Sequence, residues 1–307
     1  MDILLQQIAN GLVLGSLYAL VALGYTMVYG ILGLINFAHG EVVMVGALTA
    51  LTVAQVLVDG GATGAWVALA GLSAAVPVCM ALGFVIERVA YRPLRHAPRL
   101  APLITAIGVS ILLQNLAMLV WGRFYHAFPG VLPNQSHVWW GASLTDVDLL
   151  VIGVAALMMG GLWGLIHRTR LGTAMRATAE NPLVAQLLGV PIDRVISLTF
   201  VIGSGLAAVA GLLVAAKYSV AHYYMGFLLG LKAFTAAVLG GIGNLVGAMV
   251  GGLLLGLIES LGAGYIGDLT HGFLGSHYQD IFAFFVLILV LIFRPAGLIG
   301  ETVADRA

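Results

Sequence analysis

Long apolar runs dominate this chain, at about residues 8–29, 42–58, 65–86, 103–121, 148–166, 195–216, 228–240, 245–263 and 280–293. A hydrocarbon layer of about 30 Å takes about 20 helical residues to cross, so most of these runs read as membrane-spanning helices. The seventh and ninth are too short to cross upright, and the seventh reads as a half-helix or part of a re-entrant hairpin. The expected fold is therefore an all-α polytopic membrane protein of about 8–10 transmembrane helices with interrupted or re-entrant segments, in a single domain over 1–307. Charge agrees: 8% of residues are charged, against about 25% in an ordinary soluble domain. Lipid is then the solvent, and no room remains for a soluble enzyme. A formal net charge of zero removes the electrostatic case for nucleic acid as a partner.

Orientation follows from arginine and lysine, which are retained near helix ends on the cytoplasmic side. Arg88, Arg92, Arg95 and Arg99 share one loop, Arg168, Arg170, Arg176 and Arg194 a second, and Arg294 and Arg306 the tail. The alternate loops, about 59–64, 122–147, 217–227 and 264–279, carry Asp59, Asp146, Asp148 and Asp268 but only Arg123 and Lys217 as basic residues. Counting crossings back from a cytoplasmic C-terminus puts the N-terminus outside, as in a multi-pass protein of a bacterial inner membrane. Residues 1–7 lack a basic region and a cleavage pattern, so the first helix is expected to stay. Tyr125, Phe128, Trp139 and Trp140 in the longest outer loop fit an interfacial aromatic belt, with contact to a binding protein as the other reading.

The second arginine-rich loop, about 167–194, is the most informative stretch. Asn181 is a good N-cap, Pro182 suits the first helical position, and Gly189 suits the left-handed residue after a helix. A two-turn helix between them would carry Leu183, Val184, Leu187 and Leu188 as an apolar stripe outside the membrane core. The bland reading lays that stripe on the bilayer or on neighbouring helices. The sharper reading is a coupling helix docked in a nucleotide-binding subunit, with Arg168, Arg170 and Arg176 at its rim.

Two polar breaks interrupt the apolar pattern. Asn36, His39 and Glu41 stand among glycines in one, and Asn244 follows Gly240, Gly241 and Gly243 in the other. Ionisable groups at membrane depth are costly and usually face a cavity or a partner, and broken segments point to a substrate path. For Glu41 the competing reading is a charge stabilising the N-terminus of the next helix. Both breaks fall on the cytoplasmic side, so any internal repeat would be parallel. Lys232 and Glu259 are the other deep charges; they either pair or hold the two ends of a zwitterion. His39 and Glu41, two apart, do not share a helical face, which disfavours a metal site.

Gly243, Gly247 and Gly251, and again Gly252 and Gly256, recur every four residues. That spacing makes a groove for close helix approach, within this chain or against a second subunit. Lone Cys79 reads as a small core residue. No catalytic set emerges: Ser204 lies between glycines without the G-x-S-G form, and packing explains it better. No phosphate-binding loop is present, so ATP hydrolysis by that route must come from elsewhere.

Several stretches resemble the permeases of branched-chain amino-acid ABC importers, and the LivH-type subunit in particular. Residues Gly24 to Gly30 followed by Ile35 to Glu41 are similar to the first signature of that family, and Glu87 to Arg95 to its first cytoplasmic loop. Lys232 to Gly243 resembles its late hairpin, and Arg294 to Leu298 its tail. The resemblance implies the permease fold of an ABC importer. It also implies a second homologous permease subunit, two ATP-binding cassette subunits that bind ATP and Mg, and a periplasmic or tethered binding protein supplying leucine, isoleucine or valine. No cofactor, catalytic residue or metal is expected in this chain. Relatives moving urea, short amides or other small solutes make the substrate a wider question than the architecture. An ATP-independent secondary transporter working through Glu41, Lys232 and Glu259 is the rival. The E-A-A-x-x-x-G pattern of other importers' coupling loops is met by Ala185 and Gly189, while Leu183 replaces its Glu. Arg176, Glu180, Asn181, Leu183, Ala185, Leu187 and Gly189 are accordingly expected to couple to the ATPase, and Asn36, His39, Glu41, Lys232 and Asn244 to line the substrate path.

Overall fold

The computed structural model describes residues 2–95, 97, 98, 100–269, 279–294 and 296–300. Arg99, Pro295, Arg306 and most of the last loop expected to face outward, 270–278, lie outside the described residues. Helices α1 (Asp2–Leu32), α2 (His39–Asp59), α3 (Trp66–Val85), α4 (Leu100–Trp121) and α5 (Asp146–Arg168) are followed by two short ones, α6 (Arg170–Glu180) and α7 (Pro182–Leu187). Then come α8 (Ile192–Tyr218), α9 (Met225–Gly240), α10 (Leu245–Leu269) and α11 (Gln279–Phe293). Among the described residues, seven helices are long and apolar enough to cross a bilayer. The apolar helices α9 and α11, of 16 and 15 residues, are the two runs whose length had marked them as short.

α1 lies at the centre, packed by α10, α8, α9, α5 and α2, while α3 closes against α2 and α8. α4 and α5 sit outermost. Their outward residues, such as Ile104, Ile111, Leu119 and Leu157, are apolar and exposed, which suits a lipid-facing surface where the tails solvate side chains as a protein core would.

At one end of the bundle the loops form two small antiparallel pairs, β1 (His126–Ala127) with β4 (Val220–Ala221), and β2 (Ser136–Trp139) with β3 (Ala142–Thr145). The N-terminus is tied there: Gln6 donates to the Ser143 carbonyl at 3.0 Å and accepts from its N–H at 2.7 Å. The arginine-rich segments gather at the opposite end. Tyr91 donates to Asn36 at 3.1 Å, Arg95 donates to Asp193 at 2.6 Å, and the Leu298 N–H meets the Leu239 carbonyl at 3.0 Å. Gly243 lies against Gly30, so the two polar breaks are side by side at that end.

One aromatic departs from the expected belt. Phe128 is buried, and its N–H donates to the Ser219 carbonyl, because the β1–β4 pairing draws this part of the loop inward. Tyr125 stacks on His222, and Trp139 and Trp140 stand exposed on the β2–β3 hairpin. Trp140 and Gly141 have φ of 50° and 88°, as a two-residue primed turn requires. A left-handed Trp is an uncommon conformation for a bulky side chain, and here it turns an indole fully outward.

The four-residue glycine pattern has two separate uses. Gly252 and Gly256 face Ala19, Gly15 and Gly11 of α1, whereas Gly247 and Gly251 face Gly240 and Ala236 of α9. A methyl on Gly15 would lie 2.7 Å from Leu253 Cα, and one on Gly252 2.5 Å from Ala19 Cα. Backbones therefore touch along the α1–α10 seam, which places this groove within the chain.

Candidate functional site

The elbow formed by α6 and α7 begins at Thr169, whose backbone is extended and whose hydroxyl accepts from the Gly172 N–H. That cap was not foreseen, although Thr directly before a helical run is its usual signature. Asn181 breaks the two helices apart with φ −154° and caps α7 by accepting from the Val184 N–H at 3.1 Å. Pro182 follows at the first position, and Gly189 closes the helix at φ +84°. Within this frame Ala185 is buried, while Leu183, Val184, Leu187 and Leu188 are 73%, 48%, 87% and 78% exposed. The local logic is now visible: a small residue packs inward, and four aliphatic side chains project from a rigid, doubly capped turn. Arg176 and Glu180 are exposed on α6.

An ion-pair network braces the base of the elbow. Arg92 and Arg95 both bind Asp193 in the first turn of α8, and Arg95 also binds Glu87, which accepts from Ser197 at 2.7 Å. Glu87 is fully buried. It lies in a π-helical stretch, Ile86–Tyr91, continuing α3, so α3 and α8 are fastened together just behind α7. Asp193 and Glu87 carried no warning beyond the adjacent arginines.

Removing the α7 cap with Asn181→Ala is expected to cost about 1 kcal/mol locally. Amide exchange over 182–188 should then speed by roughly fivefold with little change in global melting; unaltered exchange would count against the cap.

The first polar break enters α2. Asn36 accepts from the Ala38 N–H and from Tyr91, each at 3.1 Å, which fixes the turn. His39 is buried edge-on to Tyr25, ring centroids 5.0 Å apart, and packs on Gly24. Glu41 lies in the first turn of α2, as the helix-start reading expects, yet is also buried beneath α4. One of its oxygens accepts from Ser110 at 3.1 Å and Gln114 at 2.7 Å. The other has no hydrogen-bond partner among the described residues, nor does His39 Nε2. Ser110 and Gln114, four apart on an apolar helix, were a readable polar face that the sequence reading passed over.

Half-buried Lys232 pairs with buried Glu259, with Lys232 also bonded to the Tyr18 hydroxyl at 3.3 Å and lying over its ring. Of the two readings for these charges, the structure shows the pair. Asn244 caps α10 by accepting from the Gly247 N–H and donates to the Ile299 carbonyl, both at 3.0 Å. Asn36, His39 and Glu41 thus cluster at the α2 entrance, whereas Lys232 and Asn244 are each held by other partners. Ser204 packs against Gly83 of α3, and Cys79 is buried against the Val42 carbonyl.

Membrane-length helices, glycine-rich breaks side by side at one end and a braced elbow projecting beside them define a multi-pass permease of the ABC-importer class. The chain belongs to the family described as the permease component of the branched-chain amino acid transport system, which matches residues 7–291. It is 49% identical to the high-affinity branched-chain amino acid transport system permease protein BraD of Pseudomonas aeruginosa, over 98% of this chain and 97% of the relative. It is 47% identical to the corresponding LivH protein of Escherichia coli K12, with the same coverage. A more distant likeness, 31% identity over 63% of this chain and 55% of the relative, is to the autoinducer 2 import system permease protein LsrC of Klebsiella pneumoniae. No solved structure matches the chain.

Proposed function

We propose that this chain is one transmembrane half of an ATP-driven, binding-protein-dependent importer of leucine, isoleucine and valine. The observation that carries the reading is the capped α7 knob, whose aliphatic side chains project exposed, in a chain sharing nearly half its residues end to end with BraD and LivH. A second homologous permease, two ATP-binding cassettes and a binding protein complete the machine; the cassettes bind ATP and Mg, and this chain contributes no cofactor or catalytic group. Residues 167–194 form the coupling loop of a single permease domain. The arginine-rich end faces the cytoplasm of a bacterial inner membrane, with the C-terminus, and the N-terminus lies outside.

In this mechanism, closure of the cassettes pushes on Leu183, Leu187 and Leu188, with Arg176 and Glu180 at the rim of the joint. Buried Ala185 and the turn at Gly189 pass the displacement to the start of α8, and the Asp193 to Arg92 and Arg95 bonds carry it to α3. Access alternates only if the two states bind nucleotide and substrate differently, so tight substrate binding in either state is of no help. Asn36, His39 and Glu41 at the α2 entrance, with Lys232 and Asn244 beyond, are the polar positions offered to the substrate path. Glu41 is the group best suited to a substrate ammonium, since one of its oxygens has no hydrogen-bond partner among the described residues.

Reconstitution into liposomes with the second permease and the binding protein tests the proposal. Leucine uptake is expected only when the cassettes and ATP are present. Uptake driven by an ion gradient with the cassettes omitted would overturn it.

A further inference from the structure

Behind the elbow, at the arginine-rich end, lies a cleft of about 1260 Å³ between the foot of α1, the π-helical stretch after α3 and the first turns of α8. Its lining is mixed. Arg88, Arg92, Arg95 and Arg194 line it together with apolar Ile31, Phe84, Leu198 and Val201, which belong to the spanning helices α1, α3 and α8. Arg92 and Arg95 are committed to Asp193 and Glu87. Arg88 and Arg194 are exposed and make no ion pair among the described residues. Four guanidiniums thus face two carboxylates, which leaves the cleft electropositive.

Size and shape narrow the occupant. Small-molecule pockets run to about 300–1,000 Å³, so this cleft exceeds what a free amino acid or a soluble anion fills. A soluble anion would use the arginines and leave the apolar residues bare. An amphipathic anion satisfies both kinds of lining: guanidinium matches phosphate with paired hydrogen bonds, and basic pockets between spanning helices suit anionic headgroups. We propose that the cleft binds an anionic phospholipid, its phosphate between Arg88 and Arg194 and an acyl chain along Phe84, Leu198 and Val201. Pro182, Leu183 and Gln186 of α7 also line the cleft, so the bound lipid supports the elbow from behind.

The test uses the full-length chain in neutral detergent, offered phosphatidylglycerol and phosphatidylcholine with identical acyl chains, with retained lipid read by native mass spectrometry. Two basic side chains at an anionic headgroup lead us to expect a preference for phosphatidylglycerol on the order of tenfold to thirtyfold. The double variant R88Q/R194Q should bring that ratio near one. Val201→Trp, which adds bulk to the apolar lining and keeps every arginine, should lower retained phosphatidylglycerol and serves as the readout if the double variant does not fold. Inorganic phosphate at millimolar concentration should not displace the lipid. Equal retention of the two lipids by the unaltered protein, a preference that survives in R88Q/R194Q, undiminished retention in Val201→Trp, or displacement by phosphate alone would each overturn the proposal. None of these readouts depends on transport, so the lipid site stands or falls separately from the importer reading.

Discussion

Leu187→Asp is expected to reduce uptake at least tenfold while the cassettes still hydrolyse ATP, now without regard to the binding protein. The side chain is 87% exposed and projects from a two-turn helix capped at both ends, so the substitution removes no contact that holds this chain together. Exposed changes of that kind usually fall within about 0.5 kcal/mol of neutral. In an apolar joint the same carboxylate is buried without a partner, and the few residues that dominate an interface cost about 2 kcal/mol or more when changed. The signature is therefore a split: unchanged melting of the purified permease, undiminished ATP turnover in the assembled transporter, and lost import. Leu187→Met, of similar volume and polarity, should import normally. Wild-type uptake by the Asp variant would remove α7 from the transmission path.

The second large effect concerns stability. Lys232→Met alone strips the counter-charge from Glu259, which is about 2% exposed and already has one oxygen without a hydrogen-bond partner among the described residues. Breaking a buried pair from one side costs about 3–5 kcal/mol, whereas replacing both partners with apolar residues is often close to neutral. Thermal unfolding in detergent should show a steep loss for Lys232→Met, a smaller loss for Glu259→Leu, which leaves Lys232 18% exposed and still bonded to the Tyr18 hydroxyl, and recovery of most of the larger loss in the double variant. If the double variant is as unstable as the sum of the two singles, the charges act independently and the pair is not the source of the stability.

How far the sequence could be read depended on the range of the forces involved. The spanning runs are local: hydrophobicity and length marked all nine apolar helices among the described residues, including the two short ones, α9 and α11. The α7 turn is local too, because Asn181, Pro182 and Gly189 act on backbone groups within four residues of themselves. Long-range pairings escaped. Ser110 and Gln114 meet Glu41 across about 70 residues of chain, and Asp193 meets Arg92 and Arg95 across about 100, a distance over which no periodicity carries information. Phe128 misled for the same reason. Composition alone could not distinguish an aromatic at the bilayer surface from one drawn inward by a strand pairing with residues 220–221.

The α1–α10 seam also limits where motion can occur. With main chain resting on main chain at Gly11, Gly15, Gly252 and Gly256, neither rod can slip past the other by part of a turn without overlap, so the two move as a single strut. Conformational cycling must then be hosted by joints that polar side chains hold and can release, such as the Ser110 and Gln114 bonds from the outlying α4 to Glu41.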